Sequence, residues 1–296
     1  MYLEHFGLRE SPFNITPDTA FFFASARYQE ALNTLLIAAR TGEGFMKITG
    51  EVGTGKTLLC RKFISSLDET FKVAYIPNPY LEPHSLLLAL AEELGIEIVD
   101  TGQHHLLKSI TQALTEFSNQ GRQVIICLDE AQAMPLETME ALRLLTNLET
   151  EKRKLLQVVI FGQPELEDKL NQQSIRQLKQ RITFDYRLSP LNRDDLHYYL
   201  NHRLIVAGYQ GGRLFSSWAL WMLHRRTEGI PRLVNIVAHK AMLAVFGKGR
   251  KTVGMADVMA ACNDTASTRK MNWRFAALLG VLIAVLAAAV MWNATQ

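Results

Sequence analysis

Cysteine is scarce in this chain, and the three present, Cys60, Cys127 and Cys262, lie far apart. There is no CxxC pair and no even-numbered set. This excludes a disulfide framework and fits a reduced, cytosolic setting. Cys127 falls inside an apolar run and reads as core. The first ten residues, MYLEHFGLRE, carry an early acid and lack the apolar stretch of a secretory signal. Internal repeats and low-complexity tracts are absent. So is any Ser/His/Asp or Cys/His constellation beyond what composition alone supplies. The histidines offer no metal site: His104 and His105 open a polar helix without a Cys or acidic partner. His197 and His202 are five apart, not the four of a helical zinc pair. Trp218, Trp221 and Met222 read as helical core rather than a ligand box.

What is present starts with size. A chain of 296 residues holds one large core plus a satellite, or two modest domains. The net charge of +3 is unevenly placed. Residues 1–190 carry 19 Lys/Arg against 24 Asp/Glu, and residues 191–270 carry 12 against 5. The basic part favours an anionic partner, lipid headgroups or nucleic acid, unless it is simply a solvated helical face.

One stretch has no charge at all: 275–292, FAALLGVLIAVLAAAVMW. At 1.5 Å per residue a helix of that length spans about 27 Å, enough to cross a hydrocarbon core. It shows no polar stripe, and Trp273 and Trp292 bracket it as interfacial aromatics would. Arg269, Lys270 and Arg274 precede it, which places 1–274 in the cytoplasm and 293–296 outside. A buried hairpin helix is the alternative.

Strand and helix patterns alternate up to Pro190. Apolar runs predict strands at 45–49, 71–76, 124–128, 155–161 and 182–188. Helices are predicted from Ser25 through 27–40, from about 55, and over 83–94, 103–119, 136–148, 165–170 and 175–180. Ser11 to Asp18 is Pro-interrupted and reads as a loop. Such alternation predicts a parallel sheet covered on both faces. After Pro190 only helices are expected, at 193–207, 216–226, 232–246 and 255–262. The predicted organisation is an N-terminal loop and helix at 1–40, an α/β core at 41–190 and a helical lid at 191–265. A basic linker at 266–274, the membrane helix at 275–292 and a tail at 293–296 follow.

Gly50-Glu51-Val52-Gly53-Thr54-Gly55-Lys56-Thr57 matches GxxxxGK[ST] between a predicted strand and a predicted helix. The glycines let successive N–H groups converge on phosphate oxygens, and the helix points its positive end at the same spot. Lys56 is expected on the β- and γ-phosphates and the Thr57 hydroxyl on Mg²⁺. Leu58 completes the binding segment. A second signal is Val124 to Leu128 followed by Asp129-Glu130: an apolar strand delivering two acids to its C-terminal edge. Asp129 is placed to hold Mg²⁺ and Glu130 to polarise an attacking water. The expected cofactors are ATP and Mg²⁺.

With these residues the chain resembles the AAA+ ATPases of the general secretion pathway protein A (ExeA) group. The resemblance covers most of the first 265 positions. Its strings are Phe6-Gly7-Leu8, Ser11-Pro12-Phe13, Pro17-Asp18, the Gly50–Thr57 loop, Leu128-Asp129-Glu130-Ala131-Gln132, Gly162-Gln163-Pro164-Glu165-Leu166, Gln180-Arg181-Ile182 and Gly229-Ile230-Pro231-Arg232-Leu233-Val234-Asn235. The Gly-Gln-Pro-Glu-Leu and Gly-Ile-Pro-Arg strings are the more specific. The resemblance implies a P-loop NTPase fold of the AAA+ kind. It also implies a sensor role for Gln163 near the γ-phosphate and an arginine finger at Arg181 acting on a neighbouring subunit, with Arg176 as rival. Arg232 is implied as a lid sensor on the phosphates of its own subunit. It implies a homo-oligomer at the bacterial inner membrane that drives assembly of a type IV-like (MSHA) pilus or a type II secretion machine. Its expected partners are assembly proteins and membrane lipid. Members of the group continue past the membrane helix into a peptidoglycan-engaging region; here residues 293–296 follow, so no direct peptidoglycan role is expected. A nucleic-acid machine and an ATP-gated scaffold with negligible turnover are the rival functions.

Overall fold

The structure is a computed structural model and describes residues 2–98, 101–149 and 154–268. The expected membrane helix at 275–292, the tail at 293–296 and residues 269–274 of the linker lie outside these. Among the described residues no helix is long and apolar enough to cross a membrane.

The chain opens with α1 (Tyr2–Phe6) and an irregular segment that ends in a 3-10 turn at Thr19–Phe21. The α/β part then runs α2 (Ala26–Thr41), β1 (Phe45–Gly50), α3 (Lys56–Ser65), β2 (Phe71–Ile76), α4 (Pro83–Leu94), α5 (Gln103–Asn119), β3 (Gln123–Leu128), α6 (Leu136–Leu145), β4 (Leu156–Gly162), α7 (Glu165–Leu170), α8 (Arg176–Lys179) and β5 (Phe184–Leu188). Four further helices follow: α9 (Arg193–Val206), α10 (Ser217–Thr227), α11 (Pro231–Gly247) and α12 (Met255–Asn263). Ser25, Asn192 and Ser216 cap α2, α9 and α10 by accepting backbone N–H bonds in the first turn.

All five strands are parallel, in the order β2-β3-β4-β1-β5. The inner strands β3, β4 and β1 are apolar along nearly their whole length because both faces are covered. Phe45, Ile126 and Val158 face one apolar cluster with α4, α5 and α6. Met46, Ile48 and Ile125 face another with α2 and α3. One charge is buried within the sheet: Lys47 on β1 pairs with Glu167 of α7 and with Asp185 of β5 at 2.9 Å. A buried ammonium needs such partners to remain charged.

Within the N-terminal segment the structure adds a detail: Phe6, Leu8, Phe13 and Phe21 are buried in the cluster formed by α9 to α12. These apolar residues carry no periodic signal, so only the packed lid shows where they go. One finding differs from the sequence reading. Trp218, expected as lid core, is 68 % exposed, while Met222 is buried and Trp221 packs at the margin. Trp218 stands in the first turn of α10, on the side turned from the other lid helices.

Candidate functional site

The register of the sheet builds the site. Gly50 closes β1, and Thr49 pairs with Gly162 at the end of β4. Leu128, at the end of β3, pairs with Ile160. The loop after β1, the acid pair after β3 and Gln163 after β4 therefore emerge side by side at the C-terminal edge of the sheet, where open parallel sheets bind ligands.

The loop from Gly50 turns back on itself before α3. Gly53 and Gly55 have φ of 82° and 99°, open to glycine and costly for other residues. Space enforces the same choice. A Cβ on Gly55 would lie 2.3 Å from the Tyr28 hydroxyl, and one on Gly53 would lie 2.6 Å from the Arg232 Cβ. The N–H groups of Gly53, Gly55, Lys56 and Thr57 have no protein acceptor among the described residues. Free donors at a helix N-terminus form an anion cradle. Lys56 is buried, and its Nζ donates to the carbonyls of Gly50 (2.8 Å) and Glu51 (3.0 Å). Burial lowers its pKa, against the pull of Glu130, Asp129, Glu51 and Glu165.

Opposite Lys56 stands the acid pair. Asp129 is 2 % exposed; it accepts the Thr57 hydroxyl at 2.6 Å and the Glu130 N–H at 2.9 Å. Burial nevertheless raises its carboxyl above the ordinary range. A buried carboxylate beside a hydroxyl, with repulsion from Glu130, is a donor set suited to a small oxygen-seeking dication. Among the described residues no group of three or more His, Cys, Asp or Glu could hold a metal. Mg²⁺ here would be held by Thr57 and Asp129, with phosphate and water oxygens completing its shell.

Glu130 takes a left-handed backbone, φ 52° and ψ 38°. Its Oε2 accepts from the Gln163 side chain at 2.9 Å and from the Gln132 side chain at 2.5 Å. The Gln163 N–H donates to Gln132 Oε1 at 3.0 Å. Gln163 thus meets Glu130 directly.

A cleft of about 360 Å³ separates the loop from the lid. Val52, Gly53, Gly55, Leu58 and Glu130 line one side and Arg232 the other. The Arg232 N–H donates to the Gly53 carbonyl at 3.1 Å, and its side chain is exposed in the cleft. Arg181 is not brought there. It donates to the Thr146 hydroxyl at 2.9 Å and the Arg143 carbonyl at 3.4 Å, at the end of α6. Arg176 is exposed at the start of α8.

Four cleft elements were given no role in the site by the sequence reading. The segment Asn14–Asp18 forms one rim, and Tyr199, Arg203 and Asn235 of the lid back it. Arg203 is buried, with no carboxylate partner among the described residues. It donates to the carbonyls of Pro12 (2.5 Å) and Asn14 (3.3 Å) and lies 4.6 Å above the Phe21 ring. Asn235 donates to the Asn14 carbonyl at 3.2 Å and accepts the Tyr199 hydroxyl at 2.9 Å. The string containing Asn235 was visible in the sequence, but its contact with residue 14 was not.

Sheet order, phosphate loop, acid pair and helical lid together define a P-loop fold of the AAA+ kind. The AAA domain family matches residues 39–170. Over 295 residues the chain is 39 % identical to general secretion pathway protein A of Aeromonas hydrophila. That alignment covers 99 % of this chain and 54 % of the relative, so the chain spans about half the relative's length. Among solved structures, it is similar to the ORC2 protein of Aeropyrum pernix, with TM-score 0.62 and 16 % identity over 88 % of this chain and 74 % of that one. It is also similar to Cdc6p of Pyrobaculum aerophilum, with TM-score 0.63 and 21 % identity over 82 % and 70 %. At these identities the structural likeness speaks for the fold.

Proposed function

We propose that the chain is a membrane-anchored ATPase that hydrolyses ATP to drive assembly of a type IV-like (MSHA) pilus or of type II secretion machinery. Within the group it would stand nearest to the MSHA pilus biogenesis protein MshM. The observation that carries the ATPase reading is the side-by-side placement of Lys56, the Thr57–Asp129 pair and the Glu130–Gln163 pair at one sheet edge. The similarity to general secretion pathway protein A supports the assembly reading. The uncharged run at 275–292 supports an inner-membrane anchor with the ATPase part in the cytoplasm.

In this reading the free amides and Lys56 grip the triphosphate, and Lys56 exchanges its two carbonyl acceptors for phosphate oxygens. Thr57 and Asp129 would hold Mg²⁺, which would supply neutralisation of phosphate charge there. Glu130 accepts a proton from the attacking water, and Gln163 faces the γ-phosphate. Arg232 reaches across the cleft to the phosphates of its own subunit. Arg181 leaves Thr146 and acts on the neighbour's, which makes a homo-oligomer part of the mechanism. Partners in the membrane then receive the movement of the lid.

Glu130→Gln tests this. Turnover should fall by about 10²- to 10⁴-fold with ATP affinity retained, and pilus or secretion assembly should fail. Unchanged turnover and unchanged assembly would leave only a nucleotide-gated scaffold. The net-positive lid keeps a nucleic-acid machine as the second reading. Salt-sensitive DNA binding by the detergent-solubilised protein, with assembly unaffected by Glu130→Gln, would put it first.

A further inference from the structure

Gln132 is neutral and lies outside the phosphate loop, yet it grips both halves of the hydrolytic corner. Its Nε2 donates to Glu130 Oε2 at 2.5 Å, and its Oε1 accepts the Gln163 N–H at 3.0 Å. The Gln163 side chain returns to the same Glu130 oxygen at 2.9 Å. The three residues close a ring that ties the turn after β3 to the turn after β4. Only a carboxamide can hold it, since one end must donate and the other accept. A carboxylate of equal size accepts at both ends, and an ammonium donates only.

Backbone conformation gives the grip its purpose. Glu130 is one of two non-glycine residues with positive φ among the described residues. A left-handed backbone at such a residue is disfavoured and persists only where its surroundings impose it. The aim of this half-buried carboxylate is therefore set by what holds its oxygens. In the ATPase reading the Gln163 side chain would turn to the γ-phosphate, leaving Gln132 as the side-chain donor to Glu130.

We propose that Gln132 is a positioning residue for hydrolysis: it aims the Glu130 carboxylate and fixes the Gln163 backbone, touching no phosphate itself. The inference rests on the ATPase reading and adds a residue to it.

The test uses the full chain in detergent and follows steady-state ATP turnover together with the affinity for a non-hydrolysable ATP analogue. Gln132→Glu keeps the size and the acceptor for Gln163 but removes the donor to Glu130. Its kcat should fall about 10- to 100-fold, while KM and analogue affinity stay within about twofold. Gln132→Met, which loses both bonds without adding charge, should also lower kcat, by less. In a Glu130→Gln background, Gln132→Glu should cost under about twofold, because the carboxylate it aims is gone. Wild-type kcat in Gln132→Glu, or losses that multiply in the double variant, would overturn the inference. Failure of the ATPase reading looks different: Glu130→Gln would then turn over as fast as wild type, and the role of Gln132 would fall with it.

Discussion

The two walls of the cleft are made in different ways. One is a row of strand ends. Parallel register sets the residues after β1, β3 and β4 at one level, and every group on this wall lies within a few positions of a strand. The other wall joins distant parts of the chain. Asn235 holds the carbonyl of Asn14 and Arg203 those of Pro12 and Asn14, with no ladder between them. The first wall inherits the stiffness of the sheet. The second depends on a few side chains gripping irregular backbone. In the proposed reading, chemistry sits on the stiff wall and closure falls to the other.

The most severe way to break the stiff wall is Lys56→Ala. Nucleotide binding should weaken by more than about 100-fold, since a charge-assisted contact worth about 3 kcal/mol goes with the ammonium. Turnover should vanish with it. A titration with fluorescent ATP that gave wild-type affinity would show that the cradle grips without its cation, contrary to the present assignment.

The stiff wall is the part a reader of the sequence could see. Gly50 to Thr57 and Asp129-Glu130 are short strings beside apolar runs, and register alone converts adjacency to strand ends into adjacency in space. The sheet was legible for the same reason: β1 to β4 are mostly apolar runs between turn residues, broken by single polar residues such as Lys47, Lys72 and Gln157. The looser wall was not, because its contacts span about two hundred positions and neither partner carries a periodic pattern. Phe6, Leu8, Phe13 and Phe21 are scattered apolar residues until α9 to α12 are packed around them. Trp218 shows the converse error: an aromatic on a lid helix need not face the lid core.

Arg181 tests whether a third wall, from a neighbour, completes the site. Its guanidinium is held at the end of α6 by Thr146 and Arg143 of its own chain. In the wild type, activity per subunit should rise with protein concentration. In Arg181→Ala it should stay flat, about 10³-fold below the wild-type plateau, with ATP binding kept. The same loss in Arg176→Ala, with Arg181→Ala active, would move the finger to Arg176.

A smaller effect is expected on the looser wall. Arg203→Met keeps the length and apolar stem but leaves the Pro12 carbonyl without its donor and the Asn14 carbonyl with Asn235 alone. The protein should lose about 2–4 kcal/mol of stability to urea. Proteolysis between residues 12 and 18 should quicken, with Glu130-dependent chemistry intact at saturating ATP. Equal stability would mean that the aromatic packing of Phe13 and Phe21, rather than Arg203, holds that rim.

The smallest effect separates the two walls by sign. On the looser wall polar groups add stability; on the stiff wall one of them subtracts it. Burial raises the Asp129 carboxyl even with the Thr57 hydroxyl and the Glu130 N–H donating to it. The native chain therefore binds this proton more tightly than the unfolded chain does, and ionising Asp129 costs stability. That cost is absent below the ordinary carboxylate value, grows as pH rises toward the raised one, and is complete above it. Asp129→Asn has the same shape without the charge, so without nucleotide it should melt above wild type at pH 7. The two should converge as pH falls below about 4. Saturating ATP with Mg²⁺ should reverse the order, because only the carboxylate gains a dication to offset its burial. If Asp129→Asn melted lower than wild type at neutral pH without nucleotide, the acid would be a structural contact, and its burial no preparation for a metal.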